Sequence, residues 1–171
     1  MGLLLDEFDC GYNGINLSKR EIIGDVGNSG PRPRWLCLLK PEGEEQYSDT
    51  LGDVQQFIRV ADNLSILVRK ILKRNVELKR INTNIQFPTQ DATFHLDGGA
   101  DRWTLLLFLS RNWNTNWGGE FICQVGDTYH GIPFIPTRGV LFNASYWHRG
   151  SAPNIMADEI RRSIAFTYQE V

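Results

Sequence analysis

Cysteine is scarce: Cys10, Cys37 and Cys123 are the three in 171 residues. They are widely separated, odd in number and form no Cys-x-x-Cys pair. That speaks against a disulfide framework and suits a reducing compartment, with each thiol acting as a small buried apolar side chain. A basic excess is missing too. Lys and Arg number 18 against 20 Asp and Glu, a formal net charge of -2, whereas proteins that grip a phosphate backbone usually carry a positive surplus. Nucleic acid is therefore not expected as a partner. Nor is there a long hydrophobic run near the start. "MGLLLDEFDC" has three leucines before Asp6 and Glu7, too few for a signal-peptide core or a membrane span. Asp6 also breaks the myristoylation pattern. The triplets "NLS" and "NAS" read as chance matches to the glycosylation signal. The expectation is a cytoplasmic protein with no membrane attachment. Internal repeats and low-complexity tracts are likewise absent. What remains is ordinary globular composition, 42% hydrophobic and 22% charged, at a length that suits a single domain over 1–171.

The first 50 residues carry little pattern. "GDVGNSGPRPR" is rich in Gly and Pro and reads as a loop. "WLCLLK" reads as a short buried strand, and "PEGEEQYSDT" as a charged loop whose end caps the next segment. From about 51 to 74, Val54, Phe57, Ile58, Ala61, Val68, Ile71 and Leu72 recur at spacings of three and four, the period of a helix. Asp62 and Asn63 mark a point where it would divide into two. The basic run "RKILKRNVELKR" reads as a solvated helix end, where cations suit the helix dipole.

After Asn75 the period becomes two. "VELKRINTNIQF" alternates, and strands are expected near 93–97, 103–110, 119–124, 132–135, 140–143, 146–149 and 160–168, separated by Gly, Pro, Asn and Asp. So many short strands after a helical stretch suit a sandwich or barrel better than a parallel α/β sheet. The chain thus reads as a helical and irregular part over 1–77 and a strand-rich core over about 78–169.

Chemistry concentrates in "TFHLDGGADRW". In a strand, residues two apart face the same way, so His95 and Asp97 present an imidazole and a carboxylate side by side. His148, in "NASYWHRGSAP", offers a third ligand. Two histidines and one carboxylate that leave about three coordination positions open suit non-haem Fe(II) and oxygen chemistry. His130, in "DTYHGIP", is the rival ligand. It falls between Gly and Pro signals and reads as a loop residue at a surface or pocket. Trp113 and Trp117 in "RNWNTNWGGEF" are candidates for lining the barrel mouth or covering a loop. Gly118 and Gly119 read as a tight turn or bulge. Asn82, Asn84 and Thr93 alternate on strands near the site and are candidate ligand contacts.

The last strand, "EIRRSIAFTYQ", has two faces. Arg161, Ser163, Ala165 and Thr167 share one, and Arg162, Ile164, Phe166 and Tyr168 share the other. An arginine and a hydroxyl on an inward face can grip a carboxylate. A buried arginine is costly unless an anion pairs with it.

His-x-Asp, then "WGGEF", then "GVLFNASYWHRGSAP", then "RRSIAF" resembles the 2-oxoglutarate and Fe(II)-dependent dioxygenases. The branch it is most similar to is the prolyl 4-hydroxylase-like one, with its small bacterial and phage members. The resemblance covers about 78–169. It implies a mainly β fold with flanking helices, a double-stranded β-helix or cupin-like jelly roll. It implies metal ligands at His95, Asp97 and His148, and co-substrate contacts from Arg161 and Ser163. Fe(II), 2-oxoglutarate and O2 are the implied cofactor and co-substrates, with ascorbate as a stimulant. The implied reaction hydroxylates an unactivated C–H and releases succinate and CO2. The substrate leans towards a prolyl or other peptidyl side chain, with an amino acid or small metabolite also in view. Animal and plant prolyl 4-hydroxylases usually carry lysine where Arg161 falls, so here the pattern follows other branches. Asp97 also sets the chain apart from the halogenase variant, which leaves that ligand position empty for chloride. Two other readings of the same residues are a cupin-type metal enzyme that uses no oxoacid, and a jelly-roll binding module without catalysis.

Overall fold

A computed structural model describes the backbone of residues 3–5, 35–40, 42–43 and 54–171. The loops expected over 24–34 and 44–50 lie outside the described residues. The elements are β1 (Leu3–Leu5), β2 (Trp35–Lys40), α1 (Val54–Leu72), β3 (Val76–Gln86), β4 (Arg102–Phe108), β5 (Phe121–Val125), β6 (Thr128–Ile132), β7 (Gly139–Asn143), β8 (His148–Gly150) and β9 (Arg161–Glu170). A short 3-10 turn spans Thr115–Trp117. The described strands pair antiparallel in two sheets, ordered β1-β7-β4-β9-β3-β2 and β6-β5-β8. This is the expected jelly roll, with one α-helix beside it among the described residues. No helix among them is long and apolar enough to cross a membrane.

Strand alternation builds two cores on either side of the large sheet. On its outer side Leu105, Leu107, Leu141, Ile164, Phe166 and Tyr168 pack against Ala61, Leu64 and Val68 of α1. On its inner side Leu106, Phe108, Val140, Phe142 and Ala165 meet Phe121 and Cys123 of the small sheet, and Phe134. Each fully buried Leu or Phe contributes about 1.5–3 kcal/mol. Strands β4 and β9 are interior strands with apolar residues facing both cores, so their sequences read as near-continuous apolar runs. Arg161, Ser163 and Ala165 share a face with the inner core.

The helix is continuous where a break was expected. Asp62 and Asn63 lie exposed on its outer face, between buried Ala61 and Leu64. Polar residues there cost only tenths of a kcal/mol in helix propensity. Basic Arg69 and Lys70 sit in the last turn, and Lys73 ends the helix at a φ of 54°.

Three strand expectations shift. The segment 93–97 is no strand: His95 alone makes a bridge, to His148. The strand placed at 132–135 lies earlier, at Thr128–Ile132, because Pro133 and Pro136 have no N–H to continue a ladder. His130 is therefore on a strand, not in a loop. The strand placed at 146–149 starts at His148. Asn143 holds the preceding turn, with its Oδ1 accepting from the Ser145 N–H at 3.0 Å and its carbonyl from the Tyr146 N–H at 3.1 Å.

Candidate metal and anion site

The two histidines are joined through the backbone. The His95 N–H donates to the His148 carbonyl and the His148 N–H to the His95 carbonyl, both at 3.0 Å. This single bridge brings the ring centroids within 4.4 Å. Beyond it the Asp97 N–H donates to the Ala144 carbonyl at 3.0 Å, so the chain leaves the ladder but keeps Asp97 beside both rings. Each histidine donates Nδ1–H to the carbonyl two residues before it, His95 to Thr93 at 3.0 Å and His148 to Tyr146 at 2.9 Å. A carbonyl only accepts, so in the neutral ring the proton sits on Nδ1 and the lone pair on Nε2.

Those Nε2 atoms point at one carboxylate. Asp97 Oδ1 lies 3.8 Å from His95 Nε2, and Oδ2 lies 3.5 Å from His148 Nε2. One ligand atom from each residue falls within 4.8 Å of the others, the one such cluster among the described residues. Thr104 Oγ1 donates to Asp97 Oδ2 at 2.9 Å, and Arg80 Nη2 lies 3.5 Å from Oδ1. Burial works to raise the Asp97 pKa. A protonated His148, by hydrogen bond and charge, outweighs it together with Arg80 and a protonated His95 and holds the carboxyl well below the usual range. The side chains of His95, Asp97 and His148 are 44%, 14% and 6% exposed, so the cluster opens to solvent at His95.

The second group of candidate residues centres on Arg161. Arg161 is 2% exposed. Its Nε donates to the Gly119 carbonyl at 2.8 Å, and its Nη1 to Gln86 Oε1 at 2.8 Å and Ser163 Oγ at 3.3 Å. Its Nη2 is buried with no hydrogen-bond partner among the described residues. The guanidinium carbon lies 5.6 Å from the Phe108 ring centroid and 5.1 Å from that of Phe134. Burial pushes its pKa down to about 10, only partly opposed by the charge of Glu120. No carboxylate touches it among the described residues. A buried cation with one donor unspent is suited to pairing with an anion. Arg162 points the other way, half-buried, with its Nη1 3.2 Å from Glu159 Oε1.

The two groups meet at β8. His148 pairs with Cys123 and Gly150 with Phe121 on the small sheet's inner face. A Cβ on Gly150 would stand 2.9 Å from Gln86 Oε1 and 3.1 Å from Arg161 Cζ. The guanidinium therefore occupies the space a side chain would fill, one two-residue step, about 7 Å, from His148.

The other candidates separate by position. His130 is exposed on β6, with β5 between it and His148, about 10 Å away in strand spacings. It is not in the cluster. Trp113 packs at a tilt against Phe134 at 4.4 Å, and its Nε1 donates to the Gly118 carbonyl at 3.1 Å, so it backs the ring that lies beside the Arg161 guanidinium. Trp117 meets it edge-on at 5.5 Å. Gly118 and Gly119 form a turn with φ of 75° and 81°. Asn82 is buried, its Oδ1 without a partner among the described residues, Asn84 lies opposite Ser163, and Thr93 is exposed. Sequence reasoning missed Gln86, Thr104 and Phe134. The alternation Asn82, Asn84, Gln86 was a signal for the first, since all three share one face.

By sequence the chain matches no protein-family model and no curated relative. By structure it is similar to a Pseudomonas putida prolyl-4-hydroxylase, at 16% identity, a TM-score of 0.60 and coverage of 82% of this chain and 73% of the other. It is also similar to a 2OG-Fe(II) oxygenase family oxidoreductase from Burkholderia pseudomallei, at 14% identity, a TM-score of 0.65 and coverage of 82% and 70%. A third is a Trichoplax adhaerens prolyl hydroxylase in complex with a hypoxia inducible factor peptide fragment, at 17% identity, a TM-score of 0.59 and coverage of 81% and 64%. The chain shares their fold.

Proposed function

We propose that this protein is a 2-oxoglutarate- and Fe(II)-dependent dioxygenase that hydroxylates an unactivated C–H. The observation that carries the reading is the pairing of an open His95, Asp97 and His148 cluster with a buried guanidinium that meets no carboxylate among the described residues and packs at Gly150, one strand step (about 7 Å) along β8 from His148. That separation suits a five-carbon oxodiacid held by metal at one end and by Arg161 at the other. A metal enzyme using no oxoacid has no need of such an arginine.

The donor set suits Fe(II), with three protein ligands on one side and open positions opposite. Bound iron with O2 supplies the oxidising power, and the overall reaction converts R–H, 2-oxoglutarate and O2 into R–OH, succinate and CO2. The chain does the rest. His95, Asp97 and His148 hold the metal. Thr104 and Arg80 keep Asp97 oriented and ionised. Arg161 and Ser163 hold the far carboxylate. Phe108, Phe134 and Trp113 exclude water around it, which strengthens the ion pair. The exposed side at His95 is where a substrate approaches.

The likeness to a prolyl-4-hydroxylase and to a prolyl hydroxylase bound to a peptide supports a prolyl or other peptidyl side chain as substrate. Enzymes of this kind turn over 2-oxoglutarate slowly without substrate. Purified protein with Fe(II), 2-oxoglutarate, O2 and ascorbate should release succinate at a low rate, and prolyl peptides should accelerate it. Iron that is bound with no succinate formed across a broad substrate panel would refute the reading.

A further inference from the structure

We propose that Gln86 is a positioning residue that holds Arg161 for the co-substrate without neutralising it, an inference that rests on Arg161 as the anchor for the far carboxylate. Gln86 is 3% exposed at the end of β3, opposite Arg161 in the β3–β9 ladder. Its Nε2 donates to the Gly150 carbonyl at 2.9 Å and to the Gln90 carbonyl at 3.2 Å. Two carbonyls can be faced only by an NH2 group, so the amide has one possible orientation. Its oxygen is thereby turned onto Arg161 Nη1 at 2.8 Å.

The consequence is electrostatic. Gly119 O, Gln86 Oε1 and Ser163 Oγ take the Nε and Nη1 donors, and all three are neutral. The guanidinium is fixed in place, yet its full charge and its Nη2 remain for an incoming anion. A carboxylate in the place of this amide would put a permanent negative charge on the arginine, and would lose the two bonds that the NH2 group makes to the Gly150 and Gln90 carbonyls. Gln86 also ties β3 and β9 to β8, the strand that carries His148, so the anion end and the metal end share one support.

The test uses Gln86→Glu, which is isosteric but charged, and Gln86→Met, which keeps the volume and neutrality but loses the hydrogen bonds. Each variant and the wild type would be loaded with redox-inert Mn(II). Calorimetry would then give the dissociation constants for Mn(II) and 2-oxoglutarate, and a melt would report folding. The expected result is a loss of 2-oxoglutarate affinity on the order of a hundredfold for Gln86→Glu. For Gln86→Met it is about two- to tenfold, the worth of a hydrogen bond. Mn(II) affinity should stay within about twofold for both, because neither change touches a ligand. Equal losses in the two variants, or a parallel fall in Mn(II) affinity, would show a merely structural role and overturn the inference. So would unchanged 2-oxoglutarate binding in Gln86→Glu. If Gln86→Glu gives no cooperative melt, Gln86→Met decides alone: a two- to tenfold loss with Mn(II) binding intact supports the inference, and no loss overturns it. A wild type that binds Mn(II) but no 2-oxoglutarate removes Arg161 as anchor and overturns both readings together.

Discussion

Replacing Arg161 with Met should separate binding from stability. Burial of the guanidinium, pushing its pKa down to about 10, amounts to a penalty on the charged form of about 3 kcal/mol. This is a base with a depressed folded-state pKa. Its penalty is present throughout below pH 10, neutral pH included, and fades only as pH rises through that value. Arg161→Met lifts the penalty. It also strands the Gly119 carbonyl and Gln86 Oε1, which lose the donors at 2.8 Å, at about 1–3 kcal/mol each. The two effects oppose, so stability without ligand should fall between a gain of about 1 kcal/mol and a loss of about 3 kcal/mol. Ligand binding behaves differently. At a 2-oxoglutarate concentration about 100 times Kd, the wild type gains about 2.7 kcal/mol, roughly 5–10 °C for a chain of this size. Loss of a charged partner to a buried anion costs about 2–5 kcal/mol, a thirtyfold or larger rise in Kd. The variant should then gain less than about 1 kcal/mol at the same concentration. Arg162→Met should keep the full ligand shift, because its half-exposed pair with Glu159 contributes at most about 1 kcal/mol to stability. Thermal melts with Mn(II), with and without 2-oxoglutarate, read all of this. A full shift in Arg161→Met, or a lost shift in Arg162→Met, would refute the reasoning.

Asp97→Ala and His148→Ala should each abolish metal binding in equilibrium dialysis with the melt retained, while exposed His130→Ala binds as the wild type does. Activity surviving His148→Ala but not His130→Ala would mean that the distal ligand is wrongly assigned. Asp97, held well below the usual carboxylate range, stays ionised as the solution is acidified, so metal affinity should show no step from a carboxylate near pH 4; a titration with such a step would contradict this. Thr104→Val removes the 2.9 Å donor to Asp97 Oδ2 and should weaken metal binding about tenfold, again by dialysis. Gly119→Ala forces a Cβ to 2.7 Å from Trp113 Cζ2 at a φ of 81°. A loss of about 1–3 kcal/mol in urea unfolding is expected.

Much of the site was legible because it rests on local periodicity. A period of two separates Arg161 and Ser163 from Arg162, whatever the strands pair with, whereas His95 and Asp97 come together through the His95 bridge and the Asp97 bond to Ala144 rather than through a strand. The arginine assignment needed only residue type and spacing. The same reasoning failed where a boundary depended on contacts made elsewhere. Asp62 and Asn63 do not break α1, because Ala61, Leu64 and Val68 are pinned to the large sheet around them. The segment 93–97 looked like a strand but keeps only the His95 bridge, because its next amides turn to Ala144. His130 and His148 are both strand histidines near Gly, and nothing local ranks them. The pairing of β5 between them decides, placing one at the solvent edge and the other on the inner face. Gln86 lies 75 residues from Arg161, and no spacing rule connects positions so far apart. Side-chain direction follows from the backbone period and is written along the chain. Which directions converge, and which buried charge is left without a partner, depends on long-range strand pairing, and only the folded chain settles that.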